Sequence, residues 1–199
     1  PARYIENGAE VVRPALSDVE EIDFAGIGTL EAFNTDGLRT LARTMRAPNM
    51  KEKTMRYPGH VALMKALRDT GFFSKEPVAI AGQPIAPIDF TAKLLFPAWQ
   101  MAEGEEDLSV MRVIIRGKRG GAWETHTWDL LDRYDTSLGV TSMARTTGYT
   151  CAMAARLVAD GSYRRPGISP PEFLGADETV YHALMDGLAA RGIAFAHSD

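Results

Sequence analysis

Residues 108–131 read LSVMRVIIRGKRGGAWETHTWDLL, and this stretch decides the fold class of the chain. Two runs rich in β-branched and aromatic residues, 108–116 and 122–131, are typical of β-strands. The sequence KRGG at 118–121 separates them, and its glycines suit the positive φ angles of a tight hairpin turn. The pattern therefore predicts an antiparallel hairpin.

Helical and extended segments surround this hairpin on both sides. Apolar residues at helical spacing predict helices at about 38–44, 58–70, 88–101, 142–159 and 178–191. Alternation and proline placement predict extended segments at 17–33, 49–57 and 193–195, the first of them broken by a bulge or turn at Gly26 and Gly28. Three prolines within 77–87 predict a loop. Strands interleaved with helices predict a single α+β domain over residues 1–199, with a mixed, largely antiparallel sheet.

The composition excludes several classes of protein. With 45% hydrophobic and 24% charged residues among 199, the chain buries a core without disulfides or a metal. No apolar run approaches the roughly 20 residues of a membrane helix. A net charge of −4 argues against nucleic-acid binding, which depends on neutralising phosphates. The one cysteine, Cys151, fits a cytoplasmic protein, and its apolar helical setting predicts an inert core thiol.

The chain begins Pro1-Ala2-Arg3-Tyr4 without an initiator methionine, so we expect it to be a piece of a longer protein. Residues 39–68 carry eight basic residues against the single acid Glu52. This stretch is either a solvated helix face, paired with the acidic residues 16–36, or a local anion site.

The heptapeptide Thr54-Met55-Arg56-Tyr57-Pro58-Gly59-His60 is the strongest candidate binding motif. An extended segment ends here at the start of a helix, whose first amides favour an anion. Arg56 adds a planar guanidinium that binds a carboxylate through two parallel hydrogen bonds. The helix dipole predicts a lowered pKa and a neutral ring for His60. The motif predicts a carboxylate site, or equally an arginine paired with a neighbouring acid beside a surface histidine.

Two further polar stretches leave a structural and a functional interpretation open. Asn34-Thr35-Asp36-Gly37 is a turn in which Thr35 or Asp36 caps the following helix, or a wall of a binding site. The polar front of the 142–159 helix, residues 145–150, lines a cleft with its hydroxyls and the Arg145 guanidinium, or Arg145 and Thr150 face solvent.

Other motifs predict no chemistry. Gly26-Ile27-Gly28 lacks the third glycine of a dinucleotide-binding turn, because Glu31 stands in its place. His126, His182 and His197 are isolated in the sequence, so surface or structural roles are expected and no metal site is predicted.

Four stretches in order, at 28–41, 53–60, 143–149 and 167–172, carry a family resemblance. The chain resembles the C-terminal domain of the saccharopine dehydrogenase family, in particular the saccharopine dehydrogenase-like enzymes that include lysine 6-dehydrogenase. The resemblance implies a domain similar to the C-terminal domain of glyceraldehyde-3-phosphate dehydrogenase, with helices on one face of its sheet. It also implies a homodimer.

The resemblance further implies a two-domain oxidoreductase that acts on the carbon bearing nitrogen of an amino acid. A Rossmann domain, absent from this chain, would bind NAD or NADP in the parent protein, and no cofactor is expected on this chain itself. Arg56 would bind the substrate carboxylate. The remaining substrate-binding residues would be Thr54, Tyr57, His60, Asn34, Thr35, Asp36, Arg145 and Thr146.

Within that site, Asp36 would hold a substrate ammonium, while Arg145 and Thr146 would close the pocket from the long helix. No catalytic acid or base is assigned. Two alternatives remain open: a non-catalytic amino-acid-binding and dimerisation module, and a polyamine-type reductive condensing enzyme.

Overall fold

A computed structural model describes all residues from Pro1 to Asp199. The chain divides into two compact units, residues 1–101 and 102–199, and each is described by itself. Both units contain strands and helices, so the predicted α+β class is confirmed. All strand pairs are antiparallel, and they form four small sheets instead of one. The assignment of the whole chain to a single domain stays a prediction.

Unit one contains three of the four sheets. Its strands are β1 (Ala2–Glu6), β2 (Ala9–Arg13), β3 (Glu20–Phe24), β4 (Gly28–Asn34), β5 (Lys53–Arg56), β6 (Val78–Ile80) and β7 (Gln83–Ile85). Its helices are α1 (Leu41–Thr44), α2 (His60–Asp69) and α3 (Pro87–Trp99).

The hairpin β1–β2 was not predicted from the sequence. Asn7 and Gly8 join its strands with φ angles of 50° and 81°, which is the conformation that an Asn-Gly hairpin turn requires. Ala2 and Tyr4 of β1 are buried with Leu38, and this cluster forms a core of unit one.

The break predicted at Gly26 and Gly28 is confirmed, because these glycines make a turn at positive φ between β3 and β4. Two other predictions for unit one need correction. Residues 77–87 contain the short hairpin β6–β7 instead of a loop alone. Helix α1 is shorter than predicted and Thr35 and Asp36 do not cap it, since its N-cap residue is Thr40.

Unit two is built on the long hairpin predicted from 108–131. Its strands are β8 (Leu108–Arg119), β9 (Ala122–Arg133) and β10 (Ala196–Ser198), in the sheet order β10-β9-β8. Its helices are α4 (Ser142–Ala144), a π-helical turn (Arg145–Tyr149), α5 (Thr150–Ala159), α6 (Pro171–Gly175) and α7 (Glu178–Ala189). Leu130 of β9 packs on Leu188 and Ile193 to form the core.

The predicted 142–159 helix is interrupted by its π-helical turn. The hydroxyls of Thr146, Thr147 and Thr150 donate to carbonyls four residues earlier, at 2.9, 2.5 and 2.7 Å. Such back-bonding perturbs regular α-helical hydrogen bonding. The prediction of a core thiol is wrong, because Cys151 on α5 is exposed.

The last strand lies at 196–198, three residues beyond the predicted 193–195. Because β10 pairs with β9, His197 lies opposite Trp128 and beside His126. The prediction that these histidines are isolated is therefore wrong. No helix of the structure is both long and apolar enough to span a bilayer.

Candidate functional site

One face of the β4–β5 pair gathers the polar residues of the heptapeptide motif. Glu31 lies opposite Arg56, and Phe33 lies opposite Thr54. Directly opposed residues of an antiparallel pair point to the same side, and alternate residues of a strand share a face. Thr35, just after β4, continues this row. We call this surface the Arg56 face.

Glu52 organises one end of the Arg56 face. Its Oε2 accepts hydrogen bonds from the Thr35 hydroxyl at 2.5 Å and from the Gly37 amide at 2.9 Å. Thr35 Oγ1 also lies 2.8 Å from Thr54 Oγ1, and Thr54 reaches the other oxygen of Glu52 at 3.4 Å. These contacts orient both threonine hydroxyls. A Cβ at Gly37 would overlap the Glu52 carboxyl group, so a larger residue at this position would displace the Glu52 side chain.

Arg56 is exposed and forms no ion pair. Its Nη1 donates to the carbonyl of Met55 at 2.7 Å, and no carboxylate lies within 4.0 Å of its guanidinium. Glu31, opposite Arg56 in the sheet, instead accepts from the Val61 amide at 3.2 Å. The sequence left two interpretations of Arg56 open, a carboxylate-binding residue or an arginine paired with a neighbouring acid. The second does not occur in the structure. The remaining guanidinium donors are available to a ligand.

His60 lies beside this arginine at the start of α2. Its ring stacks on buried Phe33, with centroids 5.9 Å apart and planes at 18°. Burial lowers the pKa of His60 from its ordinary value of 6.5, and the positive charge of Arg56 lowers it further, while Glu31 opposes the shift. The lowered pKa agrees in direction with the sequence prediction, which attributed the shift to the helix dipole, but burial is its largest cause. His60 is therefore a neutral hydrogen-bonding group at neutral pH.

The other predicted residues of unit one take different positions. Tyr57 is 61% exposed, directly after β5. Asn34 is fully buried on the opposite face of β4, where its amide donates to Tyr4 Oη at 3.2 Å and to Ser17 Oγ at 3.1 Å. The structure thus brings Thr54 and His60 together with Arg56 but does not bring Asn34 to that face.

Asp36 has a partner within unit one. Arg3 donates to its carboxylate from the guanidinium at 2.6 Å and from the backbone amide at 3.1 Å. The predicted role of Asp36 toward a substrate ammonium stays a prediction, and it requires Arg3 to release this carboxylate.

Arg145 and Thr146 belong to unit two. Arg145 is buried, with its Nε 3.2 Å from Asp132 and its Nη1 2.7 Å from Asp135. Its Nη2 donates to the carbonyl of Arg191 at 3.0 Å, so all three guanidinium nitrogens are engaged. The hydrogen bond to Asp132 is the main cause that raises the pKa of Arg145. The expectation that Arg145 faces solvent is wrong, and its role toward a substrate stays a prediction.

On the Arg56 face, Arg56 itself is exposed, whereas Thr35, Thr54 and His60 are half-buried. Two depressions of the structure, of about 310 and 350 Å³, are lined by residues around Ile5 and Met45 and by Arg116 with Trp123. Neither includes a predicted site residue, so the Arg56 face is recognised by its chemistry and not by a cavity.

Two acids of this face, Glu31 and Glu52, were missed by the sequence analysis. Glu52 precedes Thr54 and Arg56 at two-residue spacing, and this alternation places all three on one side of an extended segment. Glu31 becomes apparent only through the pairing of β4 with β5.

Comparison with known proteins gives one family and several relatives. The sequence profile of the saccharopine dehydrogenase C-terminal domain matches residues 1–193. A saccharopine dehydrogenase (NADP+, L-glutamate-forming) of Schizosaccharomyces pombe is 32% identical over 132 residues, which are 66% of this chain and 28% of that protein.

Two further relatives carry related names. The saccharopine dehydrogenase (NADP+, L-glutamate-forming) of Saccharomyces cerevisiae is 30% identical over 121 residues, 58% of this chain and 25% of that protein. The mitochondrial alpha-aminoadipic semialdehyde synthase of Bos taurus is 28% identical over 138 residues, 69% of this chain and 14% of that protein. The matched part of the chain therefore spans between 14% and 28% of the length of these relatives.

Proposed function

This chain belongs to the saccharopine dehydrogenase C-terminal domain family, and we propose that it is the substrate-binding and dimerisation domain of an NAD(P)-dependent oxidoreductase. The substrate class is an amino acid oxidised or reduced at a CH–NH group, such as lysine or saccharopine. The names of the two yeast relatives support this class of substrate and a nicotinamide cofactor.

The observation that carries the proposal is the unpaired guanidinium of Arg56. It stands on a face with the oriented Thr54 hydroxyl and the neutral ring of His60. A substrate carboxylate accepts two parallel hydrogen bonds from a guanidinium, and bonds to charged groups contribute about 1.5–3 kcal/mol each. Since Arg56 is exposed, we expect another part of the parent protein to enclose the bound substrate.

The cofactor would be held by the parent protein outside this chain. The only closely spaced glycines that suggest a dinucleotide turn, Gly26 and Gly28, lie in the turn of the β3–β4 hairpin. A pyrophosphate site needs a turn that opens a helix, whose first amides bind the phosphates. The residues present here do not fit a dinucleotide, so this chain's part in the reaction is to bind and orient the substrate.

The exposed face of the β8–β9 hairpin supports a homodimer. Leu130 points to the helices, whereas Ile114 and Trp123 lie on the other side of the sheet and are 61% and 69% exposed. A second copy of the chain would cover these residues. We expect Ile114→Glu to convert a dimer of about twice 21.8 kDa to a monomer in light scattering. Ile168→Glu is the control, because Ile168 is also exposed but lies outside the sheet.

Substitution of Arg56 tests the substrate role. In the full-length parent, Arg56→Gln should raise the KM for saccharopine or lysine about 10- to 100-fold, the equivalent of the lost carboxylate bonds. Arg43→Gln is the matched control, since Arg43 is an exposed arginine on α1 outside the Arg56 face. An unchanged KM in Arg56→Gln would remove Arg56 from the site.

Two further measurements separate the alternatives. A polyamine-type reductive condensing enzyme needs a diamine for turnover, so a substrate panel with and without diamines distinguishes it from an enzyme that oxidises lysine or saccharopine. A non-catalytic module would bind an amino acid through Arg56, as measured by calorimetry, and yet show no hydride transfer in the full-length protein.

A further inference from the structure

The end of the chain and the hairpin of unit two bring two histidines and an aspartate together. Strand β10 pairs antiparallel with β9, so that His197 lies opposite Trp128 and Ser198 lies opposite Thr127. His126 Nδ1 is 3.2 Å from His197 Nε2 and 2.6 Å from Asp199 Oδ1. His197 Nε2 is 3.3 Å from the same aspartate oxygen. Three potential metal-ligand atoms thus form one small triangle.

We propose that His126, His197 and Asp199 bind a divalent transition metal of the zinc type. Zinc binds imidazole nitrogens and carboxylate oxygens at about 2.0–2.1 Å in a tetrahedron, which places neighbouring ligand atoms about 3.3 Å apart. Two of the three separations already have this value. The third opens by less than about 1 Å through rotation of the Asp199 side chain, which is 77% exposed.

Groups around the triangle hold the ligands in the required orientation. His126 Nε2, on the far side of the ring, lies 3.3 Å from Glu124 Oε2. A ring N–H that donates to a carboxylate leaves the other nitrogen, here Nδ1, free to bind a metal. The indole of Trp128 stacks on His197 with centroids 4.8 Å apart and planes at 20°. Both imidazole rings are therefore oriented by neighbours that are not ligands.

The donor set selects the class of ion. Two imidazole nitrogens and one carboxylate oxygen suit zinc, cobalt, nickel or copper, whereas magnesium and calcium prefer oxygen ligands alone. Three protein ligands leave a fourth position to water on the solvent side, where Asp199 is exposed. Bound metal would attach β10 to β9 and so join residues 71 positions apart in the chain.

Zinc titration of the untagged chain, freed of metal with a chelator, tests the site by isothermal calorimetry. We expect one zinc ion per chain, an increase in the thermal unfolding midpoint with zinc concentration, and no binding of magnesium. His197→Gln and Asp199→Asn should abolish or strongly weaken binding. Glu124→Gln should weaken it about 10- to 100-fold, as loss of a carboxylate behind a histidine ligand does.

His182→Gln is the matched control. His182 is an exposed histidine on α7 whose carboxylate neighbour, Glu178, lies 3.9 Å away. This variant should bind zinc as the unaltered chain does. Circular dichroism verifies that each variant is folded, and Asp199→Asn alters only an exposed side chain.

Three results would overturn the proposal. One is absence of stoichiometric zinc binding by the unaltered chain, in which case the triangle is a metal-free hydrogen-bonded cluster. Another is unchanged zinc affinity in both folded variants, His197→Gln and Asp199→Asn. The third is an equal loss in His182→Gln, which would indicate adventitious binding to surface histidines.

Discussion

Replacement of Asp132 by asparagine should destabilise unit two strongly. Asp132 and Arg145 have side chains only 5% and 8% exposed, and they are joined by contacts of 3.2–3.3 Å. Removal of one partner from a buried ion pair leaves an uncompensated charge and typically costs about 3–5 kcal/mol. Asp135 remains 2.7 Å from Arg145 Nη1 and retains part of the attraction. We therefore expect the lower limit, about 3 kcal/mol.

Urea denaturation followed by tryptophan fluorescence measures this loss, because Trp123 and Trp128 lie in unit two. With slopes of about 1–3 kcal/mol/M, the loss lowers the midpoint by about 1–3 M while the slope stays unchanged. The control is Asp69→Asn, which makes the same chemical change in the exposed Arg68–Asp69 pair. Its midpoint should barely move, since exposed ion pairs contribute little. Equal midpoints for Asp132→Asn and the unaltered chain would refute the argument that Arg145 depends on Asp132.

Four further changes test unit one. The pKa of His60 is lowered in the folded state below 6.5, so the folded state loses stability as the pH falls below about 6.5. His60→Gln should flatten this pH dependence in denaturation curves measured on both sides of pH 6.5. Arg56→Gln should raise the pKa of His60 in an NMR titration, because it removes the nearby positive charge; an unmoved pKa would contradict that coupling. Gly37→Ala should displace Glu52 and cost about 1–2 kcal/mol in the free energy of unfolding through the lost hydrogen bonds. Lys53→Met should cost about 1–3 kcal/mol in the free energy of unfolding, since the largely buried Lys53 ammonium binds the carboxylates of Asp18 and Glu20. An unaltered free energy of unfolding would show that these contacts are not stabilising.

Local sequence signals predicted most of the elements. The long hairpin, the start of α2 after Pro58 and the last helix all follow from turn residues and apolar spacing within a few positions. The hairpin β1–β2 was predictable as well, because Asn7-Gly8 is a strong hairpin signal. The π-helical turn at 145–149 was not predictable, because three threonine hydroxyls perturb the helix together. An α-helix tolerates one such hydrogen bond by itself.

The candidate site was predicted unevenly for the same reason. Thr54, Arg56 and His60 are close in sequence, so strand alternation and a helix start suffice to place them together. Asn34 was predicted on the wrong face of β4. Successive residues of a strand point to opposite faces, so a shift of one position moves a side chain to the other side of the sheet. Glu52 and Thr35 were connected only by the loop geometry that follows β4.

The sequence by itself determined the α+β class, the main hairpin and the basic motif around Arg56, because turn chemistry and side-chain periodicity act between near neighbours. Only the tertiary structure decided which charges and rings meet. It paired Arg145 with Asp132 and Asp135, left Arg56 without an acid, and placed His126 beside His197. These contacts depend on how strands and helices pack against one another, and no local spacing in the sequence encodes that packing.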